Sequence, residues 1–253
     1  MGEVIFVGAG PGDPELITVK GQKALRHADR VIYAGSLVNP ELLSHCRSEV
    51  LLHDSAGLTL EEVIHLMKTG ADQGESIVRL HTGDPSVYGA IQEQMDVLDE
   101  LGITYAVIPG VSSVFAAAAA VQREFTLPGV SQTLILTRLA GRTSVPEGER
   151  LASLAKHQAS LALFLSVQDI GKVVEELKEG YPISTPVAVV YKASWPEEAV
   201  VRGTLEDIEQ KVREAGVQKT AQILVGDFLG KAYARSKLYD PDFTHAYRRG
   251  RDS

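Results

Sequence analysis

Apolar positions along the chain come in short runs separated by longer stretches of helical period. The runs at 4–7, 30–34, 49–52, 76–80 and 104–107 have the length of buried strands. Between them, residues 15–28, 59–73 and 87–101 repeat apolar side chains every three or four positions and predict helices. Strands alternating with helices predict an α/β fold with a mainly parallel first sheet. Residues 113–122 predict one more helix, rich in Ala and poor in charge, and so expected to be buried.

Pro128 and Gly129 interrupt the pattern after that helix, which places a domain boundary near residue 125. Beyond it the pattern predicts strands at 132–137, 160–165, 186–191, 199–203 and 220–225, and helices at 148–157, 167–179 and 205–215. Pro196 sits in a short turn between two of these strands, so that pair is expected to be an antiparallel hairpin in a mixed second sheet. The predicted domains are 1–125 and 126–230, followed by an irregular tail, 231–253, rich in Arg and aromatic side chains. The tail is expected to lie on the body or on a partner subunit.

Three predicted strands of the first domain run into loops of small residues. The first is GAGPGDP, residues 8–14. A strand ending in glycines invites a dinucleotide reading, but G-x-G-x-x-G needs its third glycine where this chain has Asp13. Pro11 and Pro14 also disfavour helix just before them, and a proline removes an N–H that a pyrophosphate would use. NAD binding stays as a minor alternative, and so does a purely structural turn. The second loop, HTGDPSVYG (81–89), repeats Gly-Asp-Pro, and the third, PGVSS (109–113), leads into the Ala-rich helix with Ser112 as a good N-cap. Loops at the carboxyl ends of parallel strands line the ligand crevice of such sheets.

With 44% hydrophobic and 23% charged residues the composition is globular, which excludes disorder, collagen and coiled coil. Acidic residues outnumber basic ones 33 to 25, giving −8, so nucleic acid is not an expected partner. The densest apolar run, 114–121, is far short of a membrane span. Cys46 is the single cysteine, which excludes an internal disulfide or a thiolate cage. The first residues enter a strand without a signal-peptide pattern, and a reducing, cytoplasmic setting is expected. The sequence has no P-loop, no H-E-x-x-H and no G-x-S-x-G, and its seven histidines lack metal-ligand spacing, so no metal site is expected. No nucleophile or general base stands out. Such a site suits chemistry whose activated group arrives on a cosubstrate.

The loops GAGPGDP, HTGDPSVYG and PGVSSVFAAAAA resemble those of the tetrapyrrole (corrin and uroporphyrin) methylases, and the likeness spans nearly the whole chain. It includes YKASWPEE (191–198) and the tail RSKLYDPDFTHAYR (235–248). The phrases YAGSLVNPELL, RLHTGDPSVYGAIQEQM and ILTRLAGRTSVPE are most similar to the branch that methylates C-11 of precorrin-4 or its cobalt form. The resemblance implies two α/β domains, usually as a homodimer, with S-adenosylmethionine held in a cleft between them. Carried over by motif, the cofactor contacts would be Pro11, Thr82, Gly83, Asp84, Val87, Ser112, Ser113, Leu165 and Ala193, with 222–225 closing the adenine side. Ser112 stands where other members have threonine, which keeps the hydroxyl.

The implied substrate is an anionic tetrapyrrole. A net charge of −8 repels it at long range, so local cations are expected at the mouth. The favoured substrate contacts are Lys192 and Arg138, each of which follows a strand, and His81 is open between a turn hydrogen bond and a substrate contact. Arg79, Arg123, Arg142, Arg202, Arg235 and Lys237 complete the candidates, of which fewer than half are expected to touch substrate. Asp84 is open between a ligand hydrogen bond and a turn role, and Tyr88 leans to packing. The rival activities are another ring-position methylase, an NAD-dependent oxidoreductase and a non-catalytic tetrapyrrole carrier.

Overall fold

Alternate residues of four of the first five strands feed two separate apolar clusters, so the first sheet is covered on both faces except at its edge strand Leu51–Asp54, where Leu51 and Leu52 are exposed. A computed structural model of the protein describes residues 2–35, 37–230 and 232–251. Its first sheet comprises β1 (Glu3–Gly8), β2 (Arg30–Tyr33), β3 (Leu51–Asp54), β4 (Ser76–His81) and β5 (Tyr105–Ile108). The order is β3-β2-β4-β1-β5 and every pairing is parallel. Val4, Phe6, Ile32 and Ile77 face α2 (Leu60–Asp72) and α3 (Gln92–Glu100). Val7, Val31, Val78 and Leu80 point the other way, into a cluster with Leu25 of α1 (Val19–His27). Two faces buried at once explain why these strands read as continuous apolar runs.

The predicted helices differ from the observed ones mainly at their starts. α2 begins one residue after Thr59, where a capping box joins Thr59 and Glu62. α1 begins late because Pro14–Leu16 forms a separate 3-10 turn and Thr18 then caps the helix through Gly21 N, 3.0 Å. α3 starts at Gln92 rather than residue 87, because Tyr88 (φ 57°) and Ala90 (φ 50°) are left-handed. α4 (Ser113–Val121) buries Val114, Ala117 and Val121 but leaves Phe115 57% exposed.

The second sheet comprises β6 (Leu134–Arg138), β7 (Ser160–Phe164), β8 (Pro186–Tyr191), β9 (Ala199–Thr204) and β10 (Ala221–Val225). Its order is β6-β7-β10-β8-β9, with β6–β7 parallel and the other pairs antiparallel, so the expected mixed sheet with a β8–β9 hairpin is observed. α5 (Leu151–Ala155), α6 (Ile170–Leu177) and α7 (Ile208–Glu214) contribute to its apolar cluster.

The chain divides into two compact units, Met1–Ala116 with Lys192–Glu197, and Ala117–Tyr191 with Glu198–Ser253. The sequence pattern puts the boundary at 125, nine residues later. Residues 117–125 group with the second unit through Phe125, whose ring lies 5.0 Å from that of Phe228 and whose carbonyl accepts from Ser160 Oγ, 2.7 Å. The tail is irregular apart from a 3-10 turn at Lys237–Tyr239, and its described residues are mostly exposed. No helix among the described residues is long and apolar enough to cross a membrane.

Candidate functional site

The three small-residue loops leave the carboxyl ends of adjacent strands, β4, β1 and β5. The chain leaves β1 towards β2 and leaves β4 towards β5, in opposite directions along the sheet. Ligands of open α/β sheets bind at that reversal. There the loops join backbone to backbone: Gly10 N donates to Gly83 O at 3.3 Å and Gly83 N to Gly10 O at 2.8 Å. A Cβ on Gly8 would lie 2.5 Å from Gly110 Cα and 2.7 Å from Gly83 O. Only glycine allows so close an approach, so the three loops form one surface of bare backbone.

Asp84 fastens the second loop to the third. Its Oδ2 accepts from Gly110 N at 2.8 Å, and its Oδ1 accepts from Ser86 N at 2.9 Å and from the Ser86 hydroxyl. Burial pushes its pKa up, but these hydrogen bonds outweigh burial and hold it below the ordinary carboxylate value. Both oxygens are in use, which favours the turn role among the two left open by the sequence.

The first loop is fixed by residues that the sequence did not single out. Trp195 Nε1 donates to Pro11 O at 2.9 Å, Asn39 Nδ2 to Gly12 O at 2.9 Å, and Asp13 N to Ser194 Oγ at 3.0 Å. Trp195 lies against Gly12, where a side chain would collide with the indole. The segment 192–197, between β8 and β9, therefore belongs to the first unit as a strap across the Gly-Pro loop. Lys192 (φ 44°) and Ser194 (φ 69°) are left-handed in it, and Ala193 is buried. The signal available in the sequence was the single tryptophan of the chain, inside YKASWPEE.

Within the first unit lie Pro11, His81, Thr82, Gly83, Asp84, Val87, Ser112, Ser113, Lys192 and Ala193. Ser112 is buried and its carbonyl accepts from Phe115 N at 3.0 Å, so it stands at the start of α4. Thr82 is exposed and Val87 half-buried. Leu165 and Arg138 belong to the second unit. Leu165 follows β7 with φ 53° and is 78% exposed, a strained and solvated setting for a bulky apolar residue. Gln222 of β10 donates Nε2 to Leu163 O at 2.7 Å.

The candidate cations divide sharply. Arg138 donates to Leu139 O, Thr143 O and Ser144 O, which holds its own following loop. Lys192 Nζ pairs with Glu197 at 3.1 Å and lies 5.4 Å from the Trp195 ring centre. Arg123 and Arg202 donate to the carbonyls of Leu229 and Val121. Arg142, Arg235 and Lys237 are exposed. His81 is different: it is buried beside Phe6, its ring centre 6.1 Å away, and its Nε2 has no partner among the described residues. Burial, and then the charge of Arg79, lower its pKa to about 3, so the ring is neutral at physiological pH. Among the described residues no cluster of three or more His, Cys, Asp or Glu is placed to hold a metal ion.

Comparison with known proteins places this geometry. The family model for tetrapyrrole (corrin/porphyrin) methylases matches residues 3–209. A cobalt-precorrin-4 C(11)-methyltransferase of Methanocaldococcus jannaschii is 58% identical over 98% of this chain and 96% of its own. The X-ray structure of a cobalt-precorrin-4 methyltransferase superimposes with TM-score 0.88 at 49% identity, covering 90% of this chain and 95% of that one. A uroporphyrin-III C-methyltransferase of Thermus thermophilus, solved with S-adenosylhomocysteine, gives TM-score 0.75 at 29% identity over 90% of this chain and 99% of that one. The chain belongs to the tetrapyrrole methylases.

Proposed function

We propose that the protein transfers a methyl group from S-adenosylmethionine to C-11 of precorrin-4 or cobalt-precorrin-4, releasing S-adenosylhomocysteine, in cobalamin biosynthesis. The observation that carries the reading is the bare-backbone surface at β4-β1-β5, on a chain 58% identical to a methyltransferase named for that reaction. Side chains at Gly8 or Gly110 would collide with the backbone of the neighbouring loops, so these glycines let the three loops pack into the one surface on which this reading places the cofactor. In this reading Pro11, Thr82, Gly83, Val87, Ser112, Ser113, Leu165 and Ala193 hold the cofactor, Asp84 holds the second loop against the third, and Lys192, Arg138 and His81 face the substrate. Of the last three, His81 has the unused polar atom.

When bound, the cofactor supplies an electrophilic methyl on a sulfonium. The chain's own work is then to hold the nucleophilic carbon in line and keep water out. Orientation of this kind contributes about 7–11 kcal/mol in favourable cases. The loops are suited to it because they are fixed: the carbonyls of Gly10, Pro11 and Gly12 are each engaged by another part of the first unit. Nothing in the sequence or the site singles out a general base. We further propose that the protein works as a cytoplasmic homodimer, which light scattering tests as twice the chain mass.

Calorimetric titration of the isolated protein with S-adenosylhomocysteine and with NAD tests the cofactor. The reading expects saturable binding of the first and none of the second. Binding of NAD alone sinks it. Binding of a tetrapyrrole macrocycle with no binding of S-adenosylhomocysteine would favour the carrier.

A further inference from the structure

Arg79 and His81 are two residues apart on β4, so both side chains leave the same face of the sheet, the face that carries α2 and α3. Both border a pocket of about 320 Å³ in the first unit, together with Ala34, Thr82, Tyr88 and Glu93. Arg79 is 8% exposed. Its Nε donates to Gln94 Oε1 at 3.3 Å, and its Nη1 to Ile32 O at 3.3 Å and Ser55 Oγ at 2.9 Å. All three partners are neutral. Among the described residues the guanidinium has no ion-pair partner, whereas the other buried arginine, Arg30, is paired with Glu75 at 2.8 Å. Burial lowers the pKa of Arg79 to about 10, so it remains a cation. A buried cation without a counter-ion is costly, and so is a buried ring nitrogen without a partner. Here the two occur side by side on one pocket wall. Glu93, which also borders the pocket, is exposed to solvent and does not pair with Arg79.

We propose that Arg79 and His81 form a carboxylate-binding subsite, in which one oxygen is held by Arg79 Nη2 and the other by His81 Nε2–H. A planar two-oxygen anion matches one charged and one neutral donor on adjacent positions of a strand face. The subsite rests on the proposed reading of the site for its occupant. Two sources carry the group: a peripheral carboxylate arm of the macrocycle, and the amino-acid carboxylate of the cofactor.

Arg79→Gln separates the two sources. If the macrocycle supplies the carboxylate, its KM rises roughly ten- to a hundredfold while affinity for S-adenosylhomocysteine stays unchanged. If the cofactor supplies it, S-adenosylhomocysteine weakens by a similar factor while 5′-methylthioadenosine, which lacks the carboxylate, does not. Arg79→Lys restores part of either loss. A folded Arg79→Gln protein with KM and both affinities within about twofold of wild type overturns the subsite. Should Arg79→Gln not fold, acetate is titrated into the wild-type chain and the His81 ring nitrogens, assigned through His81→Gln, are followed by ¹⁵N NMR. A saturable shift supports the subsite and a flat titration overturns it. Wild-type protein that neither binds S-adenosylhomocysteine nor transfers methyl would defeat the functional reading instead, and the acetate titration would still judge the subsite.

Discussion

Asp84 and His81 stand three residues apart and show how differently one loop can use two polar side chains. Asp84 spends both oxygens on Gly110 and Ser86, so its replacement by Ala releases the third loop from the second. The expected cost is about 1–3 kcal/mol in urea unfolding, with Asp84→Asn milder because one oxygen is kept. If instead Asp84→Ala left stability unchanged but weakened cofactor binding, the side chain would be a ligand contact. His81 carries a pH signature. Its folded pKa of about 3 lies below the ordinary value of 6.5, so the unfolded chain binds the proton first. Stability is therefore full above pH 6.5 and falls as pH drops towards 3, by up to about 1.4 kcal/mol per unit from this ring. Urea midpoints of the ligand-free protein between pH 7 and 5 should fall less steeply in His81→Gln than in wild type. Parallel pH profiles would show that the ring is not held neutral by the fold.

The element that decides the shape of the first loop is the strap 192–197. Trp195→Phe removes the hydrogen bond to Pro11 O but keeps an aromatic ring over Gly12. Loss of one such bond is worth about 0.5–1.5 kcal/mol, so affinity for S-adenosylhomocysteine should drop by up to about tenfold with the fold intact. Because Trp195 is the only tryptophan, its fluorescence in wild type should change on cofactor binding. An unchanged spectrum at saturation would place the cofactor elsewhere. As a contrast, Tyr181→Phe deletes a buried hydroxyl that donates to Ala159 O at 2.5 Å in the second unit. It should lower stability by about 1 kcal/mol and leave cofactor affinity alone. Local signals of this kind were legible where the cause is local. The Thr59 capping box marks the start of α2, and Pro186–Tyr191 was readable as a strand because its β-branched run is bounded by turn residues. The start of α3 was not, because the left-handed residues are Tyr88 and Ala90, types that rarely adopt that conformation, while Gly89 between them does not.

At the scale of the molecule, two sheets of different character were legible from the alternation of elements, but the allocation of chain to units was not. The bond from Trp195 to Pro11 spans 184 residues, and no pattern in the sequence connects its ends. The same holds for Phe125 and Phe228, which carry residues 117–125 into the second unit. The convergence of three glycine-rich loops was legible because parallel strands place all their carboxyl ends on one edge. The pairing of Arg79 with His81 was only half legible: both residues stand in the string RLH, but burial without a counter-ion is a property of the fold.

The central claim is one methyl, at one carbon. Incubation of the protein with ¹³C-methyl S-adenosylmethionine and enzymatically made precorrin-4, with and without cobalt, followed by mass and ¹³C NMR spectra of the product, tests it directly. The account predicts a single labelled methyl, bonded to C-11, in at least one of the two samples. A labelled methyl at any other ring carbon, or none in either sample, would contradict it.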